Sequence, residues 1–102
     1  MEQKIITLKA SVEYQNGSIV SKEILKTDGG IVTIFAFDIG QGLSEHVAPF
    51  NALVQILDGE AQISIEKTSH ILTEGQLIEL PVNKPHSLKA SKRFKMLLVM
   101  IK

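Results

Sequence analysis

The sequence GQGLSEHVAPFNALVQILDG, residues 40–59, decides the fold of this chain. It contains His46, one of only three histidines, just before a run of strand-forming residues that ends in an Asp-Gly pair. A second stretch, GQLIELPVNKPHSLKA at residues 75–90, contains a strand, a corner marked by proline, and His86. The rest of the sequence is predicted to be a scaffold that brings these two histidines together.

Short apolar segments separated by turn residues follow one another along the whole chain. Strands are predicted at residues 19–26, 31–39, 60–66, 70–73, 76–80 and 94–101. Asp28-Gly29-Gly30 closes a hairpin, and Asp58-Gly59 predicts a second tight turn. Near the N-terminus, residues 4–14 are compatible either with one helical turn capped by Thr7 or with a strand. Many short strands without a long helix indicate one compact all-β domain.

The last predicted strand, Phe94–Ile101, is apolar throughout except at Lys95. A strand without a polar face should be covered on both sides, by the core on one and by another element on the other. Alternation places Met96, Leu98 and Met100 on one face, with the residues between them on the opposite face. The sequence leaves open which face lies toward the core.

The composition is that of an ordinary globular domain, with 44% hydrophobic and 22% charged residues. Lysine plus arginine and aspartate plus glutamate each number 11, so the formal net charge is zero. The basic residues Lys89, Lys92, Arg93 and Lys95 are interpreted as a solvated loop entering a strand, and nothing in the sequence indicates a nucleic-acid partner. No apolar run is long enough to cross a membrane, and the N-terminus lacks the apolar core of a signal peptide, so a cytoplasmic protein is expected.

The chain has no cysteine, which excludes disulfides, thiolate metal sites and a cysteine nucleophile. Ser87 is adjacent to His86, but adjacent residues on a strand point to opposite faces, so a Ser87-His86 couple is not expected. Asp38 and Glu45 are interpreted as solvated charges at strand ends. No other catalytic constellation is found in the sequence, and the catalytic residues are left undetermined.

Together the two stretches resemble the paired motifs of the cupin superfamily, which are small double-stranded β-helix, or jelly-roll, barrels. In the first motif, G-x5-H-x-H-x3,4-E-x6-G, the matching residues are Gly40, His46 and Gly59. In the second, G-x5-P-x-G-x2-H-x3-N, they are Gly75, Pro81 and His86. The chain is similar to small single-domain cupins of the conserved-barrel type, with a degenerate metal motif.

The resemblance extends from about Gly30 to the end of the chain. It implies a single jelly-roll cupin barrel over residues 1–102. The core of that barrel is expected at about 30–102, and residues 1–29 are expected to form a strand or arm packing on it.

The departures from these motifs bear on metal binding. Ala48 and Ala52 occupy the second histidine and the glutamate positions of the first motif, so only His46 and His86 remain of the four ligands that the resemblance implies. A catalytic zinc generally keeps three protein ligands, and non-haem iron commonly uses two histidines and a carboxylate. The resemblance therefore implies at most a partial site for iron, manganese, nickel or zinc, with a third ligand still to be found.

The predicted ligand pocket comprises His46, His86, Phe50, Asn51 and Met96. Three functions are compatible with it: a small-molecule-binding module without a full catalytic metal site, a metal-dependent enzyme of the dioxygenase, isomerase or lyase type, and a structural barrel with a vestigial pocket. The third histidine, His70, is interpreted as a surface or strand-packing residue.

The two-faced apolar last strand and the segment IVTIFAFDI, residues 31–39, suggest a partner surface. Symmetric pairing is the usual way in which such a surface is covered, and cupins commonly pair in this way. A homodimer is therefore expected, with a small-molecule ligand and neither nucleic acid nor membrane as a partner.

Overall fold

A computed structural model describes residues 3–102 as eight β-strands and one short 3-10 turn at Leu8–Ala10. The strands are β1 (Ile19–Thr27), β2 (Gly30–Phe37), β3 (Gly42–His46), β4 (Asn51–Ile65), β5 (Thr68–Thr73), β6 (Leu77–Leu80), β7 (His86–Lys89) and β8 (Phe94–Ile101). The all-β prediction is confirmed. Thr7 stands at the start of the 3-10 turn without a side-chain capping bond. Within residues 3–102 no helix is long and apolar enough to span a membrane.

The strands form two antiparallel sheets that share β4. The first sheet has the order β6-β4-β8-β2-β1, and the second has the order β5-β4-β7-β3. The first half of β4 pairs with β6 and β8, and its second half pairs with β5 and β7. One strand therefore curls the sheet over onto itself, which closes the jelly roll around a single interior.

The tight turn predicted at Asp58-Gly59 is wrong, because β4 runs through both residues without reversing direction. The pairing of β4 with β8 shifts between Ile56 and Asp58, and Gly59 has a φ of +76°. A Cβ on Gly59 would lie 1.8 Å from the carbonyl oxygen of Arg93. The glycine therefore serves a β-bulge, which passes the strand from one sheet to the other, rather than a chain reversal.

The interior between the sheets is filled by aromatic and aliphatic side chains. Phe37 and Phe94 are fully buried, and their rings stack with centroids 4.4 Å apart. On β8, Met96 is buried within this core and Leu98 packs against it, while Leu97 lies on the opposite face. The structure thus resolves the question that the sequence left open about β8.

The N-terminal segment covers part of the outer face of the first sheet. Val12 is buried with Ile34 and Ala36 of β2, and Leu8 and Tyr14 pack against this group. This contact covers the outer face of β8 at Leu97, whereas Ile101 on the same face is exposed. The predicted arm, 1–29, also includes residues 1 and 2, which lie outside the described residues.

Hydrogen bonds and charges fix the same segment to β4 in what we call the Tyr14 cluster, formed by Lys9, Tyr14, Asp58, Arg93 and Lys95. Tyr14 Oη donates to Asp58 Oδ2 at 2.6 Å, and Lys9 Nζ lies 3.3 Å from Asp58 Oδ1. The Arg93 and Lys95 cations each lie 5.0 Å from the centre of the Tyr14 ring. The bond from Tyr14, followed by the Lys9 ammonium, lowers the pKa of Asp58 below its usual range, although burial opposes this.

Asp38 is not a solvated strand-end charge, as the sequence predicted, because only 7% of it is exposed. Arg93 Nε donates to Asp38 Oδ1 at 2.8 Å, and the backbone amide of Gly17 donates to Oδ2 at 2.7 Å. These two bonds lower the pKa of the Asp38 carboxyl. The basic patch that seemed to be a solvated loop is therefore partly structural, through Arg93.

Candidate ligand-binding site

A cavity of about 80 Å3 lies inside the barrel and is bordered by strands of both sheets. Eleven of its thirteen lining side chains are apolar, and the other two are histidines. The lining residues are Phe35, Leu43, His46, Ala48, Phe50, Ala52, Val54, Leu80, His86, Leu88, Met96, Leu98 and Met100. The two histidines that the sequence singled out therefore meet at one apolar cavity.

Strand pairing brings the two histidines together. His46 at the end of β3 and His86 at the start of β7 are directly opposite in the ladder of the second sheet. The register shifts between Leu43 and His46, which marks a β-bulge, and such bulges re-aim side chains. The two imidazole rings lie edge to face, with centroids 4.3 Å apart and planes inclined by 66°. The two rings therefore lie next to each other at one place on the cavity wall.

Each imidazole is held by a carbonyl two residues before it. His46 Nδ1 lies 2.8 Å from the Ser44 oxygen, and His86 Nδ1 lies 3.2 Å from the Lys84 oxygen. A carbonyl oxygen only accepts hydrogen bonds, so in both rings Nδ1 carries the proton. In the neutral rings, Nε2 is then an unprotonated acceptor.

The two histidines differ in burial. His46 is exposed at the mouth of the cavity, whereas His86 is 7% exposed. Burial lowers the pKa of His86; the bond to Lys84 opposes this effect and the neighbouring His46 adds to it. His86 is therefore neutral at and above pH 7, which agrees with the tautomer that its hydrogen bond requires.

The structure brings four of the five predicted pocket residues together: His46, His86, Phe50 and Met96 all line the cavity. Asn51 does not. Its side chain is exposed, and Oδ1 accepts a hydrogen bond of 3.0 Å from the backbone amide of Val82. Asn51 is the first residue of β4, and alternation along this strand places it on the side opposite Ala52, which lines the cavity. Asn51 instead ties β4 to the loop after β6.

The apolar wall was largely missed by reasoning from the sequence. Ala48 and Ala52 were considered only as lost metal ligands, yet both line the cavity and leave space where larger side chains would fill it. A signal was available, because Ala48, Phe50, Ala52 and Val54 recur at every second position. The exposed His70, on β5, is not among the lining residues.

The donor set does not fit the metal centre that the resemblance implied. Among residues 3–102, no three histidine, cysteine, aspartate or glutamate side chains come close enough to hold a metal ion. Two imidazoles are one ligand short of a catalytic zinc site, and they lack the carboxylate of a common iron site. The cavity walls contribute no anion that would offset the burial of a divalent cation.

Comparison with known proteins assigns the chain to a family. The model of the AraC-like ligand binding domain matches residues 28–100. No curated protein matches the sequence.

Solved structures similar to the chain include cupins and a protein of unknown function. A conserved protein of unknown function from Streptococcus pyogenes is 33% identical with a TM-score of 0.92, and the match covers all of this chain and 90% of that one. A cupin 2 conserved barrel domain protein from Leptotrichia buccalis is 40% identical with a TM-score of 0.92; 95% of this chain matches 47% of that protein, so this chain spans about half its length. A cupin superfamily protein from Desulfitobacterium hafniense is 25% identical with a TM-score of 0.91, covering 99% and 93% of the two chains.

Proposed function

This chain belongs to the family of AraC-like ligand-binding domains and has the cupin fold, and from that premise we propose that it binds a small molecule in the barrel cavity around His46 and His86. The binding requires no complete catalytic metal site. The two histidines are the polar anchors of the ligand, while Phe50, Met96 and the other apolar side chains surround its body.

One observation carries the proposal: an apolar cavity that retains an open mouth and a pair of convergent polar groups. Ligand sites are typically concave and mostly apolar, with a few placed polar groups that fix orientation. A small barrel without a ligand role would fill its interior with side chains. Here Ala48 and Ala52 keep that space open. A vestigial barrel gives no reason for two histidines to converge on such a space.

The test is ligand-dependent thermal stabilisation across a library of small organic molecules, repeated on Ala52→Leu. Ala52 lines the cavity opposite Leu80 and Met100 in the ladder, so a leucine there fills the space without adding charge. We expect stabilising compounds for the parent protein and none for Ala52→Leu. Stabilisation that survives in Ala52→Leu would place the ligand elsewhere, and the absence of any hit would favour the vestigial barrel.

A metal-dependent enzyme is the competing function. It requires a third ligand that the donors around the cavity do not supply. Elemental analysis of protein purified without chelator tests it directly, alongside His46→Ala and His86→Ala. Near-stoichiometric iron, manganese, nickel or zinc in the parent, lost in both variants, would displace the metal-free proposal.

We also propose a homodimer formed through the outer face of the first sheet. Leu25, Val32, Val99 and Leu53 are aligned in one row across β1, β2, β8 and β4, and Glu79 of β6 ends this row. Leu25 is 58% exposed, and Ile101 and Leu77 on the same face are also more than half exposed. The apolar row continues past the region that the N-terminal segment covers.

Charges at the two edges of this sheet favour a second copy as the occupant. Lys22 lies on the β1 edge of the outer face and Glu79 on the β6 edge. A twofold axis parallel to β8 places β1 of one copy over β6 of the other, so Lys22 approaches Glu79 of the partner subunit on both sides.

Sedimentation should give twice the mass of one chain at micromolar concentration. Leu25→Lys combined with Leu77→Lys should give one chain mass, and a monomeric parent would contradict the proposal.

A further inference from the structure

The hydrogen bonds of the two histidines restrict which ligands suit the cavity. Both Nδ1 atoms donate to carbonyl oxygens, so in the neutral form of each ring Nε2 presents a lone pair. Among residues 3–102, no buried side-chain nitrogen or oxygen lacks a hydrogen-bond partner. Nε2 of His86 makes no bond to protein and is not one of the buried unpaired atoms, so it is accessible to solvent or to a bound molecule, and His86 lines the cavity. The site therefore offers two acceptors.

The cavity walls offer nothing that donates a hydrogen bond to these acceptors. The other eleven lining side chains are aromatic, aliphatic or thioether groups. None carries an N–H or O–H group, and none is charged. Acceptors in an apolar site are satisfied only when the bound molecule brings the donor, and a polar group left without a partner there is costly.

We propose that the ligand is a small, uncharged and largely apolar molecule whose hydroxyl group donates a hydrogen bond to the His46–His86 pair, of the class of simple phenols and short-chain alcohols. This inference depends on the proposed function, because it names the class of ligand for the same cavity. The hydroxyl lies at the pair, and the apolar body of the molecule contacts the aromatic and aliphatic walls.

The same chemistry disfavours two other classes. A carboxylate brings only acceptors, and its charge would lie against two lone pairs with no cation among the lining residues. A sugar brings a hydroxyl on nearly every carbon, and the walls would leave most of these unpaired. Both classes pay a desolvation cost that the cavity does not repay.

The dimensions of the cavity set an upper limit on the ligand. About 80 Å3 corresponds to roughly half a dozen water-sized positions, and so to about six to eight non-hydrogen atoms inside the barrel. One aromatic ring with a hydroxyl, or a branched chain of about five carbons, has this size. Because His46 is exposed and His86 is buried, the hydroxyl faces the mouth while the apolar body points inward.

The experiment compares matched probes by titration calorimetry at pH 8 on chelator-treated protein. Phenol, toluene and benzoate share one ring and differ only in the group presented to the histidines. 3-Methyl-1-butanol and 3-methylbutanoate repeat the comparison without aromaticity. We expect each hydroxyl probe to bind at least about fivefold more tightly than its carboxylate counterpart, and phenol to bind about five- to tenfold more tightly than toluene.

Three leucine variants identify the acceptors. In His46→Leu and His86→Leu, the advantage of phenol over toluene should fall at least about threefold, because one acceptor is gone. Toluene binding should be retained, which also shows that the cavity remains folded. His70→Leu is the matched control, because His70 is exposed on β5 away from the cavity, and it should leave every affinity unchanged.

Two sets of outcomes would overturn the inference. Carboxylate probes that bind as tightly as the hydroxyl probes would do so, as would a phenol advantage that persists in both histidine variants. If no hydroxyl probe binds but other compounds stabilise the protein and are blocked by Ala52→Leu, the ligand class is wrong and the proposed function stands. If no compound in either experiment binds, the proposed function fails as well.

Discussion

Two polar groups of side chains in this barrel, the Tyr14 cluster and the histidine pair, differ in how completely they satisfy their own hydrogen bonds and charges. In the Tyr14 cluster, the Asp58 carboxylate has both a phenol donor and an ammonium partner, and cations lie against the tyrosine ring. At the histidine pair, each ring has one carbonyl partner, and no lining side chain pairs with the remaining nitrogen. The first group is complete within the protein, and the second has capacity left for a ligand.

The difference separates residues that stabilise the fold from residues that the fold positions. Charges with opposite partners contribute stability, and removing one partner leaves the other uncompensated. A neutral imidazole that contacts apolar walls contributes little to stability, so its presence is better explained by a role in binding. Mutations in the two groups should therefore have different profiles, with the greater loss of unfolding free energy at the Tyr14 cluster and the greater loss of binding at the histidine pair.

The largest effect on stability is expected at Gly59, beside Asp58 of the Tyr14 cluster. Gly59→Ala places a Cβ 1.8 Å from the Arg93 carbonyl oxygen at a φ of +76°, so the bulge of β4 must deform. We expect a loss of about 3 kcal/mol or more in the free energy of unfolding, measured by chemical denaturation.

Gly40→Ala is the matched control for this prediction. Gly40 has a φ of +85°, but a Cβ there would meet nothing within 4 Å. It should cost only about 1–2 kcal/mol, the penalty of the left-handed conformation alone. Equal losses in the two variants would mean that the close approach to Arg93 does not constrain the strand.

A smaller effect that depends on pH is expected at Tyr14. Tyr14→Phe removes the 2.6 Å bond to Asp58, which is the largest cause of the lowered pKa of that carboxyl. We expect a loss of about 1 kcal/mol at pH 7, since Asp58 is partly exposed. A carboxyl whose pKa is lowered by folding contributes stability above its unfolded value, near 3.8, and loses that contribution as the pH falls through the folded value.

The difference between the parent protein and Tyr14→Phe should therefore be constant from pH 7 down to about pH 4 and shrink below it. Denaturation curves collected between pH 2 and pH 7 measure this. A difference that stayed the same at pH 2 would show that the tyrosine hydroxyl acts without the charge on Asp58.

The sequence predicted the histidine pair better than it predicted the Tyr14 cluster. His46 and His86 lie in local motifs with fixed spacing, and the register of β3 with β7 places them opposite each other. Tyr14 and Asp58 are 44 residues apart and meet only because the N-terminal segment folds back over the first sheet. No local pattern in the sequence encodes that contact. The same holds for Asp38 and Arg93, which are 55 residues apart and were therefore predicted to be solvated charges.

The error at Asp58-Gly59 has a related cause. An Asp-Gly pair supplies the positive φ that both a hairpin turn and a β-bulge require. The residues themselves do not distinguish the two, because the choice depends on whether a neighbouring strand, here β8, continues to pair across the site. By contrast, alternation along β4 places Ala52 and Val54 on the cavity side and Asn51 on the opposite side, a signal that the sequence prediction of the pocket did not use.

The smallest effect on stability is expected at the histidine pair, with His86→Leu. At pH 8 the buried imidazole is neutral and has one hydrogen bond, to the Lys84 oxygen, and a leucine in the same apolar surroundings recovers much of its packing. We expect the free energy of unfolding to change by less than about 1 kcal/mol at pH 8.

Because burial lowers the pKa of His86, the parent should lose stability relative to His86→Leu as the pH falls below about 6.5, where the unfolded chain binds a proton that the folded protein takes up less readily. Denaturation at pH 8 and pH 5.5 measures both effects. A large loss at pH 8 would mean that His86 belongs with the Tyr14 cluster among the residues that hold the barrel together, and the contrast between the two groups would then fail.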